Sequence, residues 1–418
     1  MLDLPFEVKT LVVQELKLAL NKDLNPPDKL QPSRIVKLSS YVGINSSWNA
    51  AIERETFTES HIGASELSYF DRLMARDGGR RRATLRNITL SVTRQSLLSA
   101  SKEELDEDFS ETIDRFFKIV AAWNGPVAPQ RKLVLISPVD ADLDPDEVEH
   151  ALDHHEGKQY RRYVGDALPS SSFTQLFVAG CLQIWPPSLL QIMKAAEGIE
   201  GLNLTSLKSP WTIPLIRQEY HDALGEALVL IPKSCTSFVA DLALELRQMD
   251  GEHNPVRDGL SIGLRELSTR LRILHLYRVR ITPALFWPGD DEQRADGPAW
   301  PSLEDIKVWY LELEACGDSF VDDDRANNDL VNDLYVATGR AAQRMPTLQT
   351  LQLALIDSPL TLNLRFSGTE RHVAFRSNQP LNLNQDVLEA WGVVESAGNA
   401  RRDEYTLLDA KVNLEYVI

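Results

Sequence analysis

Cysteine is scarce in this chain: Cys181, Cys235 and Cys316 are the whole supply in 418 residues, they lie far apart, and no C-x-x-C pair occurs among them. That excludes both a disulfide framework and a zinc-ligand spacing. Long apolar runs are missing as well. No stretch approaches the roughly 20 residues that a membrane-spanning helix needs, and the N-terminus lacks the basic-then-apolar pattern of an export signal. A cytoplasmic or nuclear location is therefore expected. Under it, the glycosylation-type patterns at Asn45-Ser46-Ser47, Asn87-Ile88-Thr89 and Asn203-Leu204-Thr205 are chance matches. Positive charge is in deficit, with 44 Lys and Arg against 61 Asp and Glu, a formal net charge of −17. Phosphate binding needs local positive potential, so no extended nucleic-acid or anionic-membrane surface is expected. The one basic cluster, Arg80-Arg81-Arg82, stands before an apolar strand and reads as a solvated linker. No phosphate-cradling glycine loop and no dinucleotide fingerprint occurs, so no cofactor is implied.

What the chain does have is ordinary globular composition, with 43% hydrophobic and 25% charged residues. Its length predicts two or more units with a sizeable core. One short pattern recurs, apolar at positions one, four and six: Leu85/Ile88/Leu90, Phe173/Leu176/Val178, Ile199/Leu202/Leu204, Val239/Leu242/Leu244, Leu271/Leu274/Leu276, Leu303/Ile306/Val308 and Leu348/Leu351/Leu353, with a weaker copy at Leu133/Leu135. Positions four and six of an extended segment share a face, so those side chains enter the core, while neighbours such as His275 and Gln352 face outward. L-x-x-L-x-L is the strand of a leucine-rich repeat. Cys181 follows Val178 at the spacing where such repeats place Asn or Cys.

Helical patterns lie between these strands, over Pro187 to Ala196, Ile216 to Leu230, Leu260 to Leu271 and Asn332 to Met345. Strand followed by returning helix predicts an α/β stack of parallel strands in which each repeat covers its neighbour. The strands recur every 26 to 45 residues or so, against about 20–29 for regular repeats, so an irregular solenoid is expected. It occupies residues 81–378. Segments Leu360 to Phe366, Arg371 to Ser377 and Asp386 to Trp391 close its end, and 379–418 form a C-terminal cap. Four acidic stretches interrupt the pattern, at Glu103 to Glu111, Asp140 to Glu149, Asp290 to Asp296 and Asp318 to Asp333. They read as rim loops, solvated or able to meet a basic partner, with Asp322, Asp323 and Asp324 as the candidate substrate-binding residues.

The first 60 residues are different. Pro5 suits the first turn of a helix and Asp3 can accept from its free donors. Val8, Leu11, Val12, Leu16 and Leu20 then give an apolar stripe at helical spacing. A proline-rich loop from Asn21 to Pro32 follows, then Leu38, Tyr41, Ile44 and Trp48-Asn49-Ala50-Ala51-Ile52-Glu53. The order Leu4-Pro5-Phe6-Glu7-Val8 … Trp48 resembles an F-box, with Ser46 where that motif usually has a basic residue. Three later phrases, Ile281 to Pro288, Pro298 to Val308 and Gly339 to Leu348, resemble the body of a group of filamentous-fungal F-box proteins. The resemblance implies an F-box over 1–60, a linker over 61–80, and a non-catalytic substrate receptor for a Skp-type adaptor and a cullin ubiquitin-ligase core. It implies adaptor contacts at Leu4, Pro5, Val8, Leu11, Leu38, Ile44, Trp48 and Ile52, with an unknown protein substrate on the repeat domain. A repeat scaffold that binds a partner without directing ubiquitination is the alternative.

Two patterns with possible chemistry remain. Gly259-Leu260-Ser261-Ile262-Gly263 matches the G-x-S-x-G of a serine hydrolase, but the polar turn Asp250 to Pro255 stands where that motif needs a strand, so catalysis by Ser261 is a remote alternative. His150, His154 and His155 with Glu147 form a weak metal-ligand spacing in an acidic, loop-like stretch, and no metal is expected there.

Overall fold

The computed structural model describes residues 8–15, 46–76, 80–92, 101–123, 131–137, 160–163, 165, 173–180, 183–196, 198–206, 214–242, 258–288, 299–310, 320–322, 325–356, 361–367, 370–377, 382–392 and 412–417. The fold is mixed α/β. It divides into two compact units, Met1–Ile184 with Gln191–Ile199, and Trp185–Leu190 with Glu200–Ile418.

In the first unit, helix α1 (residues 8–15) is followed by α2 (Ser46–Thr58), which runs without a break into strand β1 (Glu59–Gly63). β1 pairs parallel with β2 (Asn87–Ser91), β2 with β3 (Lys132–Ser137), and β3, past the short β4 (Tyr160–Arg161), with β5 (Gln175–Gly180). β4 pairs parallel with β6 (Gln183–Ile184). Leu85, Ile88, Leu90, Leu133, Leu135, Phe173, Leu176 and Val178 are all buried, as the apolar triads require.

Three expectations for this unit are corrected. The stretch 61–80, read as a linker, carries the end of β1, a single turn at Ala64–Glu66 and helix α3 (Leu67–Ala75), which buries Leu67, Phe70 and Met74 at helical spacing. Arg80-Arg81-Arg82 is no solvated run either. It opens α4 (Arg80–Thr84), where Arg81 donates to the Leu73 carbonyl and Arg82 to the Met74 carbonyl. Those are carbonyls of the last turn of α3, which lack partners within their own helix. Finally, the acidic stretch from Glu103 to Glu111 is the first half of α5 (Lys102–Ala121), not a loop. Ser101 caps it by accepting from the Glu104 N–H, Glu104 bonds back to the Ser101 N–H, and acids in the first turn suit the positive end of the helix dipole. Leu105, Phe109, Ile113, Phe116 and Phe117 form its buried stripe.

The second unit contains the more regular series. β7 (Gly201–Ser206), β8 (Ser237–Asp241), β9 (Ile273–Val279), β10 (Asp305–Tyr310) and β13 (Thr350–Leu355) are joined in parallel in that order. Between them come α7 (Pro214–Val229) and α8 (Gly259–Ser268), then the short β11 (Val321–Asp322) and β12 (Arg325–Ala326), and α9 (Asn328–Ala342). Helix α6 (Pro186–Ala195) precedes β7. One position before each strand, a backbone N–H reaches the carbonyl of the residue one position before the preceding strand: Thr236 to Glu200, Arg272 to Thr236, Glu304 to Arg272 and Gln349 to Glu304. This adds a further backbone bond ahead of each ladder. Asp258 caps α8 and Asn327 caps α9 by accepting from N–H groups of the first turn, which fixes α9 earlier than its apolar pattern suggested.

The triads of β7, β9, β10 and β13 point inward as expected, but β8 is corrected. Its buried set is Cys235, Phe238 and Ala240, with Leu242 just beyond, while Val239 faces outward. The parallel register sets Phe238 beside Leu202 and Leu274. Cys235 and Ala240 are small and weakly apolar, so the sequence pattern passed over them for Val239. After β13 the direction reverses: β14 (Thr361–Ser367), β15 (Glu370–Ser377) and β16 (Val412–Val417) add antiparallel, and α10 (Gln385–Ala390) lies between the last two in the chain. The closing strands were expected, whereas β16 was not. Cys181 lies outside the described residues.

Candidate functional site

Two surfaces carry residues that their own chain does not fully cover. The first is the helix pair α1 and α2. Val13 packs with Ala51 and Ile52 in a small buried cluster, against which Trp48 lies half-buried. Gln14 Nε2 donates to Glu55 Oε1 at 3.0 Å across the same pair. On α1, Leu11 is 60% exposed and Val8 and Val12 are each 38% exposed, so three apolar side chains stand in solvent. α2 is also held through Glu53 and Phe57. Glu53 takes Arg80 at 2.5 Å and Arg81 at 2.8 Å, and the Arg81 guanidinium lies over the Phe57 ring at 4.8 Å. Burial would raise the Glu53 carboxyl, but hydrogen bonds and charge from Arg81 and Arg80 outweigh it and hold the group below the ordinary carboxylate range.

Of the residues expected to meet an adaptor, Val8 and Leu11 are exposed and Trp48 is half-buried. Ile52 is inside the helix pair, so it holds the two helices together rather than facing outward. Leu4, Pro5, Leu38 and Ile44 lie outside the described residues.

The second surface is the outer face of β8, β9, β10 and β13. Strand alternation and register bring Asp241, Tyr277 and Trp309 into one row and His275 and Lys307 into the next. Tyr277 meets Trp309 edge to face with centroids 5.7 Å apart, and Trp309 is 43% exposed. Asp305 takes His275 Nε2 at 2.7 Å, Lys307 Nζ at 3.4 Å and the Thr350 hydroxyl. Burial pulls its carboxyl up, but Thr350, His275 and Lys307 together hold it below its ordinary value. His275 faces outward as expected, but it is engaged with Asp305.

Beside this row the β9–β10 register slips. Trp309 pairs with Tyr277 and Tyr310 with Val279, so Arg278 is the extra residue of a bulge, with φ 52°. A left-handed backbone is uncommon for a residue with a Cβ. The bulge is matched by a bidentate pair, in which Arg278 gives Nε to Asp241 Oδ1 at 2.8 Å and its Nη2 to Oδ2 at 2.6 Å. The sequence signal for this face was the strand alternation itself, followed outward instead of inward.

The expected acidic rim fares differently. Asp322 is the last residue of β11 in the β11–β12 hairpin, whereas Asp323 and Asp324 lie outside the described residues, as do 140–149 and 290–296. His150, His154, His155 and Glu147 are outside them too. Among the described residues, no group of three or more His, Cys, Asp or Glu is placed to hold a metal ion, and no helix is long and apolar enough to cross a membrane.

Ser261 sits within α8 and is fully buried. Its N–H donates to Asp258 Oδ1 at 3.0 Å, its Oγ accepts from the Thr282 N–H at 3.2 Å, and Thr282 Oγ1 donates to Asp258 Oδ2 at 2.9 Å. A nucleophile elbow would present the serine on a sharp strand-to-helix turn. The glycines of this G-x-S-x-G have a packing role instead. A Cβ on Gly263 would stand 2.2 Å from the Gly225 carbonyl oxygen, and one on Gly225 would stand 2.3 Å from the Gly259 oxygen, so α7 and α8 cross backbone to backbone.

Residues 292–415 are similar to a family described as of unknown function (DUF6546), a match that runs from ahead of β10 into β16 and covers less than half of the chain. A comparison with curated proteins gives no match.

Proposed function

We propose that this protein is a substrate receptor of a Skp/cullin/F-box ubiquitin ligase. In this reading α1 and α2 belong to an F-box that docks on a Skp-type adaptor, and the strands and helices that follow form an irregular leucine-rich-repeat solenoid that holds a target protein. The observation that carries it is the exposure of Val8, Leu11 and Val12 on a helix whose Val13 is already buried against α2. Three apolar side chains on one short helix are an unfinished packing surface, and the F-box resemblance of the surrounding sequence supplies the kind of partner that finishes it. Glu53 and its two arginines support the same reading, since they tie α2 to the folded unit behind β1 and would let a docked adaptor hold that unit in a fixed orientation.

The chain itself performs no chemistry in this scheme. It raises the effective concentration of a target lysine near ubiquitin loaded on the ligase core.

The test is co-purification of a Skp-type adaptor with the full chain and with the Val8→Asp, Leu11→Asp double variant. Both positions are exposed, so the variant should keep its fold by circular dichroism and lose the adaptor. Adaptor recovery that is equal for the two folded proteins would exclude docking through α1. No adaptor with either protein would favour the scaffold that binds a partner without ubiquitination.

A further inference from the structure

Among the described residues of the second unit, the aromatic pair on the outer sheet face is the most exposed large aromatic surface, and it lies between charges that are already matched. We propose that this face docks an extended, uncharged segment of the target, with a bulky apolar side chain packed on Trp309 and Tyr277. The proposal rests on the receptor reading and names the chemistry of the segment it would hold.

Charge complementarity chooses the occupant. Both carboxylates that the described residues place on the face are engaged from within: Asp241 by the two-pronged Arg278, and Asp305 by His275, Lys307 and Thr350. Just ahead of β10, Arg272 and Glu304 close a third pair at 2.9 Å. A basic residue of a target would have to displace a cation already seated. An acidic one would have to displace Asp241 or Asp305 from the cations that hold it. Either charge, once covered, would be left poorly matched, which costs far more than a missed surface contact. An uncharged segment meets no such obstacle. What the face offers it is ring area, 43% of Trp309 being in solvent, and tryptophan is among the residue types that dominate binding energy when covered. The bulge contributes by turning Arg278 onto Asp241, so that the carboxylate beside Tyr277 is closed before any partner arrives.

The experiment uses the full chain as bait for a display library of random peptides, with synthetic copies of the enriched peptides then measured by fluorescence anisotropy. Enriched sequences should carry bulky apolar residues and no net charge. Their affinity should hold from about 0.1 M to about 1 M salt, over which screening removes attraction between exposed charges. Trp309→Ala should weaken binding at least about tenfold, and Trp309→Phe should keep most of it. Because Trp309 is partly exposed, both variants should stay folded, checked by unchanged thermal unfolding. Enrichment of basic or acidic peptides whose binding fades with salt would overturn the proposal. So would equal affinity for the folded Trp309→Ala variant, or no enrichment over that variant as bait. Adaptor co-purification is scored separately. If Trp309→Ala loses the peptide and keeps the adaptor, both readings stand. If peptide binding is as expected and no adaptor is recovered with the intact chain, only the receptor reading falls.

Discussion

The inward positions of β7, β8, β9, β10 and β13 and the apolar positions of α1 follow equally regular spacings, yet they end in opposite surroundings. Leu274, Leu276, Ile306, Val308, Leu351 and Leu353 are buried, each in register with its counterpart on the next strand. Val13 of α1 is buried too, but Val8, Leu11 and Val12 are not. Periodicity reports which residues share a face. It does not report whether the face is covered by the chain's own next element or by another molecule. In the sheet, the covering element is the next copy of the same pattern. On α1, Val13 is covered by Ala51 and Ile52 of α2, while Val8, Leu11 and Val12 stay open.

The comparison is broken most forcefully from the sheet side. Leu274→Ala and Leu351→Ala should each lower stability by about 2–5 kcal/mol, through lost burial plus the cavity left behind. Gln352→Ala, on the other face of the same strand as Leu351, should stay within about 0.5 kcal/mol. Denaturant unfolding with an unchanged slope is the measurement. Equal losses at Leu351 and Gln352 would show that the face assignment is wrong.

A smaller effect is expected where packing reaches the backbone. Gly263→Ala sets a methyl 2.2 Å from the Gly225 carbonyl oxygen, which a helix cannot move without shifting as a whole. Overpacking of that kind costs roughly 1–3 kcal/mol, occasionally more. Gly259→Ala meets the Asp222 carboxyl oxygen at 3.3 Å, the end of a side chain, and the Asp222 Cα at an ordinary 3.7 Å, and at the first helical position alanine gains only part of the roughly 1 kcal/mol of interior helix propensity. It should be near neutral. If thermal unfolding shows the two substitutions to be equally harmful, the close crossing of α7 and α8 is not what these glycines serve.

Glu53 bears on the α1 side of the comparison, since it secures the helix that supports α1. Glu53→Gln should cost about 1–2 kcal/mol at neutral pH, the value of charge-assisted bonds discounted for the exposure of Arg80. Its folded carboxyl is depressed, so its contribution is fully present above the ordinary value of about 4.3 and is lost as pH falls through the folded value. Urea unfolding of the two proteins should therefore differ at neutral pH and converge in acid. A gap that persists once Glu53 is protonated would assign the loss to packing instead of charge.

How much of this was legible in the sequence depended on range. The inward triads were readable because each strand carries its own apolar pattern, and they failed at β8 because Cys235 and Ala240 fill inward positions without looking apolar enough. The caps Asn327 and Asn384 are local signals too, but the apolar pattern alone passed over them, so the helix read from Asn332 begins at Asn328. Arg80 to Arg82 was misread because its partners, Glu53, Leu73 and Met74, are set by tertiary folding. The outer face was missed for the same reason: Asp241 and Arg278, or His275 and Asp305, meet only through strand register, and no motif search joins them. The exposure of Val8 and Leu11 was legible only through the F-box resemblance, since a stripe of valine and leucine looks the same whether covered or bare.

The smallest expected change in stability makes the sharpest use of the comparison. Leu11 has the same side chain as Leu274, but it is 60% exposed where Leu274 is 1% exposed. Leu11→Asp removes little buried area, and its neighbours Val8 and Val12 are already open to water, so stability should stay within about 0.5 kcal/mol of the parent. A drop of 2 kcal/mol or so would mean that α1 is covered by its own chain after all, because only burial gives a leucine that much weight. Should the loss be small, the side chain is free to serve a partner, and replacing its apolar surface with a carboxylate should weaken that partner by roughly thirtyfold if Leu11 is an anchor. Stability and adaptor affinity, measured on the one variant, thus answer separate questions: the first decides whether the helix face is open, and the second whether a Skp-type adaptor is what closes it.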